Sequence, residues 1–307
     1  MLVTPRPGVS PDNLIQDLQT SRDEAFNLRS GSSATTAQIY LLDYLDWAGR
    51  AARTLANQIS GTDLASLVLN RRYELLLSSF GTMASPLPEA QRVVRDLVWL
   101  ELDERVKDLD AAITTLGSYK DRWNNVGDLV VLDTNFYVEH PIELIATDLA
   151  AVTAAKTPGS VMHVLVPMLV VDELDRLKRD NQARSRARTA LKMLDEVFKH
   201  VSKENSMGLL RREDNTTKPD GSLGLGRITM ELLFDPPDHV RLPDNDAEIV
   251  DRAVAVQILA GHPVTMVTYD KNMSFRARYE GLQEIWLPHP PEQEGEQPRS
   301  GRRRDGS

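Results

Sequence analysis

The stretch DLVVLDTNFYVEH, residues 128–140, runs four apolar residues, Leu129 to Leu132, straight into Asp133, Thr134 and Asn135. A short run of Leu and Val without polar alternation is the pattern of a strand buried on both faces, as in parallel sheets. It delivers a carboxylate and two small polar groups to its end. Asp and Asn suit a turn or a helix start. In an open parallel sheet, however, ligands lie outside the carboxyl ends of the strands, so an acid there is also a candidate for chemistry. The remaining acids decide between the two readings.

Working outward, Val164 to Val166 and Val264 to Thr268 are similar short runs, and Ile228 to Phe234 is a further strand candidate. Amphipathic helical patterns separate them. In one, Ala183, Ala187, Ala190, Leu191, Leu194, Val197 and Phe198 form an apolar stripe, while Arg184, Arg186, Arg188 and Lys192 fall outside it. This alternation predicts an α/β domain over 126–287. Residues 202–226 hold several turn residues and little periodicity, which predicts a mobile loop.

Residues 1–125 read instead as an all-α region, a bundle or long hairpin. Val93, Val94, Leu97, Leu100, Val106, Leu109, Ile113 and Leu116 recur at three- and four-residue steps over 88–116, with Gly117 as the expected end. Leu41, Leu45, Ala48, Ala52 and Leu55 repeat the pattern. The polar run YKDRWNNVGD, 119–128, marks the expected boundary between the regions. The tail 288–307, mostly Pro, Gly, Glu, Arg and Ser, is expected to be disordered.

The chain has 307 residues, 41% of them hydrophobic, enough for a substantial core and about two domains. It contains no cysteine, which excludes disulfides, thiolate zinc sites and thiol catalysis. No apolar run approaches the roughly 18 residues of a membrane span, and the first residues lack a charged segment followed by an apolar one. A cytoplasmic protein with no membrane partner is the expectation. The net charge of -9 argues against a sequence-independent DNA coat but not against a local basic groove around acidic chemistry.

Three further acids resemble Asp133 in position. Glu173, in VLVPMLVVDELDRLK, follows an apolar run and opens a helical pattern. Asp246, in PDNDAEIVDRAV, falls in a first helical turn, where Asn245 and Glu248 suit a capping box. Asp270, in VTYDKN, ends the strand from Val264. Each alone is explained by turn chemistry or the helix dipole. Together, at the ends of strands in one parallel sheet, they would converge, and clustered carboxylates repel unless a cation holds them ionised. Oxygen-only donors point to Mg²⁺ or Mn²⁺. The six histidines show no metal-ligand spacing.

The order of VVLDTN, VPMLVVDELDRLK, NDAEIVDRAV and VTYDKN resembles the PIN domain family, metal-dependent nucleases that mostly cut RNA, over about residues 128–287. The resemblance implies a Rossmann-like central parallel sheet of about four or five strands flanked by helices. It implies Asp133, Glu173, Asp246 and Asp270 as catalytic, metal-binding acids, supported through hydrogen bonds by Thr134, Asn135 and Thr268. The activity it implies is hydrolysis of single-stranded RNA. The helical region before residue 125 matches no family by its residues and is a candidate for self-association or a protein partner.

An acidic site that takes RNA needs basic flanks. Arg176, Arg179, Arg184, Arg188, Lys271, Arg276 and Arg278 are the candidates, with KNMSFRAR the best placed because it follows Asp270. A phosphatase of the haloacid-dehalogenase type also carries an acid after its first strand, but it needs a second where this chain has Asn135. Glycine-rich phosphate loops are absent. The alternative to a nuclease is a catalytically weak or inactive PIN-like module that binds RNA or protein.

Overall fold

The computed structural model describes residues 3–31, 36–79, 88–154, 160–179, 183–202, 206–214, 216, 224–235 and 239–289. Among the described residues the first elements are five helices, α1 (Pro11–Ser30), α2 (Ala37–Leu55), α3 (Gly61–Leu67), α4 (Arg71–Ser79) and α5 (Pro88–Trp123). An α/β unit follows: β1 (Asp128–Leu132), α6 (Thr134–Glu139), α7 (Leu149–Val152), β2 (Met162–Pro167), α8 (Met168–Leu177) and α9 (Arg184–Phe198). It continues through β3 (Met207–Arg211), β4 (Ile228–Leu233), α10 (Asn245–Ala260), β5 (Val264–Thr268), α11 (Lys271–Tyr279) and β6 (Gln283–Trp286). No described helix is long and apolar enough to cross a membrane.

The six strands form one sheet in the order β3-β4-β2-β1-β5-β6. Every pairing is parallel except β3 with β4. Two differences from expectation follow. The sheet has six strands rather than four or five, because Gln283–Trp286 adds one edge and Met207–Arg211 the other. The second of these lies within the stretch read as a mobile loop. Its GLL core is too short to show periodicity, and only pairing with the buried β4 defines it. Most of the expected disordered tail, from residue 290, lies outside the described residues.

β1 is central, with β2 on one side and β5 on the other. The chain winds outward from β1 through β2 to β4, then crosses back to lay down β5 and β6. A switch point therefore opens at the carboxyl ends of β1 and β5, where open α/β sheets bind ligands. Leu129 to Leu132 are buried, as the quoted stretch predicts. Gly127 makes the entry into β1 possible: its φ is 101°, and a Cβ there would collide with the Val161 carbonyl, the same oxygen that accepts from Asp128 N at 2.9 Å.

In the helical region α1 and α2 pack on α5. The α5 stripe differs from the expected one in its first half. Val94, Val98 and Leu102 are buried, whereas Val93, Leu97 and Leu100 are exposed. A continuous apolar density around the helix leaves periodicity unable to choose between the two faces. Nor does α5 stop at Gly117. It continues to Trp123, whose indole is buried in the core of the sheet domain.

Candidate active site at the carboxyl edge of the sheet

Asp133 leaves β1 and caps α6, its carboxylate accepting from Phe136 N (2.7 Å) and from the Thr268 hydroxyl (2.6 Å). Thr268 ends β5, and its hydroxyl also accepts from Asp270 N (2.8 Å). Asp270 in turn caps α11 by accepting from Asn272 N. The turn reading holds for both residues, and it leaves them available to a site. Each acid secures a helix start with one oxygen.

Glu173 projects from α8 toward the same place. Its carboxylate accepts from the Thr134 hydroxyl and from Asn245 Nδ2 (2.6 Å). Asp246 lies in the first turn of α10. Asp133, Glu173 and Asp246 line one cavity of about 260 Å³ together with Thr134, Asn135 and Arg176. Asp270 lies close enough to Asp246 for their charges to repel. The structure therefore brings together the four acids singled out in the sequence, with Thr134, Asn135 and Thr268 among them.

The electrostatics follow from this crowding. Burial pushes the Asp133 carboxyl up to about 6, against the opposing pull of the Thr268 and Phe136 hydrogen bonds. Asp246 is raised as well, by burial first and then by Asp270, Asp244 and Glu173, which Arg276 offsets only in part. Among the described residues no donor reaches the Asp246 carboxylate. The donor set fits a hard divalent cation, being all oxygen, crowded and deficient in positive charge.

Two features escaped sequence reading. The expected capping box of Asn245 with Glu248 does not form. Asp244 caps α10 instead, accepting from Asp246 N (3.0 Å) and Ala247 N (3.2 Å), which leaves Asn245 free to hold Glu173. Nothing in the sequence separates Asp244 from Asn245 as a cap, since both types favour that position. Glu248 is buried and accepts from Leu242 N (2.8 Å).

The basic residues divide. Arg176 is exposed and lines the cavity. Arg179 is exposed beside Asp175 (3.9 Å), and Arg184 and Arg188 stand on the solvent face of α9. Arg276 is held by Asp244 (2.6 Å), and Arg278 donates to Glu284 through Nε at 3.0 Å. These two are thus tied to local carboxylates. Lys271 instead places its ammonium over the rings of Trp286 (5.5 Å) and Phe275 (5.9 Å).

A second group, His239, Glu248 and Asp251, has possible ligand atoms within 4.8 Å of one another. It already contains its cation: Arg252 pairs with Asp251 at 2.6 Å and with Glu248 at 3.4 Å. Two residues along α10 from Asp246, Glu248 points about 200° away around the helix. It anchors the segment before α10 and takes no part in the cavity.

The sequence profile of the PIN domain family matches residues 130–285, just over half of the chain and all of the elements that build this site. The chain belongs to the PIN domain family. No family matches the helical region, and neither a curated protein nor a solved structure matches the chain. PIN domains are generally metal-dependent nucleases that act on nucleic acid, which accords with a carboxylate-lined cavity at a switch point.

Proposed function

We propose that this PIN domain is a Mg²⁺- or Mn²⁺-dependent endoribonuclease that hydrolyses phosphodiester bonds of single-stranded RNA. The observation that carries the reading is the convergence of Asp133, Glu173 and Asp246 on one small cavity, with Asp270 beside Asp246, and too little positive charge to balance them. These carboxylates would hold a divalent cation, which would supply Lewis-acid chemistry to the phosphodiester and its attacking water.

The chain's own residues prepare that place. Phe136 N and Thr268 fix Asp133, and Thr134 with Asn245 fixes Glu173, so both carboxylates are oriented before substrate arrives. Arg176 on the cavity wall meets the phosphate charge that the acids would otherwise repel.

Labelled single-stranded RNA should be cut in Mn²⁺ or Mg²⁺ and left intact in EDTA, leaving 5′-phosphate ends. Saturable binding of RNA without cleavage in any of these conditions would replace the nuclease with a binding module. Asn245→Ala should lower turnover about 10- to 100-fold, the range for losing a residue that orients a metal ligand, with little change in melting temperature. Asn245→Asp, which can only accept and sets a further negative charge against Glu173, should lose at least as much turnover as Asn245→Leu. Wild-type turnover in Asn245→Ala would remove Asn245 from the site.

A further inference from the structure

With Arg276 and Arg278 tied to carboxylates, the surface beside Asp270 is left mainly with rings. On α11 the residues facing solvent are Lys271, Asn272, Phe275, Arg278 and Tyr279, whereas Met273, Ser274 and Ala277 are buried. Steps of four place Lys271, Phe275 and Tyr279 along one side of the helix, about 6 Å apart from one to the next. Phe275 is 54% exposed and Tyr279 88%. Trp286, 44% exposed, ends β6 as the register partner of Thr268, the residue that holds Asp133. Its backbone therefore runs one strand spacing, about 5 Å, from that of Thr268, and its indole Nε1 donates to the Tyr269 carbonyl (3.2 Å). Lys271, immediately after Asp270, lies over both Trp286 and Phe275.

Large aromatic side chains exposed in a row find no folding advantage in solvent, and a single charged residue laid across two of them makes a surface that is apolar in its faces and positive in its field. Unstacked nucleobases fit such a surface: every base has a π-face, and the adjoining phosphate meets the cation. A duplex does not fit, because its bases are already stacked on one another. A protein partner has less to engage, since the rings are separated by helical turns and flanked by the Arg278–Glu284 pair.

We infer that Trp286, Lys271, Phe275 and Tyr279 form a stacking platform that holds the unpaired bases of a single strand on one flank of the cavity and leads its backbone to Asp270. The inference rests on the nuclease reading for the position of the scissile bond, but the binding itself needs no cleavage. It also selects substrate: single strands are held whatever their bases, and duplexes are not.

The test uses the full chain carrying Asp133→Asn, in EDTA, with labelled oligoadenylate, oligouridylate and the duplex they form, read by fluorescence anisotropy. Tyr279→Ala and Phe275→Ala should each weaken both single strands about tenfold, with duplex affinity unchanged and Tyr279→Phe restoring the parent value. Lys271→Gln should reduce the salt dependence by about one phosphate contact, and Tyr279→Ala should leave it unaltered. Because Tyr279 is almost fully exposed, its truncation cannot act by unfolding α11. Dissociation constants within twofold of the parent for Tyr279→Ala, equal losses for duplex and single strands, or no binding of either single strand would overturn the platform. A tenfold effect here, together with a wild-type chain that leaves single-stranded RNA intact in Mn²⁺ and Mg²⁺, would uphold the platform and overturn the nuclease.

Discussion

Asp133→Asn is expected to abolish metal-dependent cleavage and, in the metal-free protein, to raise stability. The two effects have one cause. Asp133 is buried, and its carboxyl titrates near 6 in the fold against an ordinary value of 3.8. The folded protein holds this proton more tightly than the unfolded chain does. The group therefore costs nothing below about pH 3.8, costs progressively more as pH rises toward 6, and carries its full penalty above that, on the order of 3 kcal/mol. Asparagine keeps the local hydrogen bonds. Its carbonyl accepts from Phe136 N, and its amide donates to the Thr268 hydroxyl, which turns its own proton to the Asp270 carbonyl already within 3.4 Å. The charge alone is lost. Melting at pH 7 in EDTA should be higher for the variant, the gap closing by pH 4. Mn²⁺ should raise the melting temperature of the wild type and leave the variant where it is. Cleavage should fall by about 10³-fold or more, equivalent to at least ~4 kcal/mol of transition-state stabilisation. A variant that turns over normally would sink the assignment of Asp133. A variant that is less stable than wild type in EDTA at pH 7 would show that the carboxylate is already neutralised by the fold.

Asp133 and Asp270 were legible in the sequence because each sits where a strand meets a helix. That junction writes itself twice, as an apolar run on one side and a helix-start residue on the other. These two acids could be located from such patterns, and Asp246 from its helix start alone, without any knowledge of which strands pair. Their convergence could only be inferred, since it depends on β1 and β5 being neighbours, a pairing between residues far apart in the chain. What the sequence hid was of two kinds. Edge strands such as β3 and β6 are short and half-exposed, so neither alternation nor a long apolar run betrays them. Charged residues on helices look alike whether they face solvent or a partner. Arg276 and Arg278 seemed free to meet phosphate, yet Asp244 and Glu284 hold them. The exposed rings of Phe275, Tyr279 and Trp286, which an apolar-means-buried reading passes over, are more available than the arginines.

The other large effect is expected away from the cavity, at Glu231. This side chain is fully buried in β4 and receives donors from four residues of three segments: Arg122 Nε (2.6 Å), Trp123 Nε1 (2.8 Å), His163 Nε2 (3.2 Å) and the Ser206 hydroxyl (2.7 Å). Burial alone would raise its carboxyl, but the hydrogen bonds from His163, Arg122 and Ser206 outweigh that and hold it at about 2. Arg122 and Trp123 are the last residues of α5, so Glu231 is where the helical region is fastened to the sheet. Glu231→Gln preserves shape but replaces an acceptor oxygen with a donor facing donors, leaving buried groups unpaired. The expected loss is about 3–5 kcal/mol, the range for breaking a buried ion pair from one side, read as a lower urea midpoint. The pH dependence has the opposite sign to that of Asp133. Glu231 contributes its stability above the ordinary value of 4.5 and loses it as pH falls toward about 2, so wild type should weaken across that interval and Glu231→Gln should lack that part of the slope. A chain shortened to begin at residue 125 removes Arg122 and Trp123 together and should show a comparable loss. Reduced cleavage by such a fragment would then report a loosened sheet. Undiminished stability of either variant would mean that the helical region rests on the sheet without being fastened through Glu231.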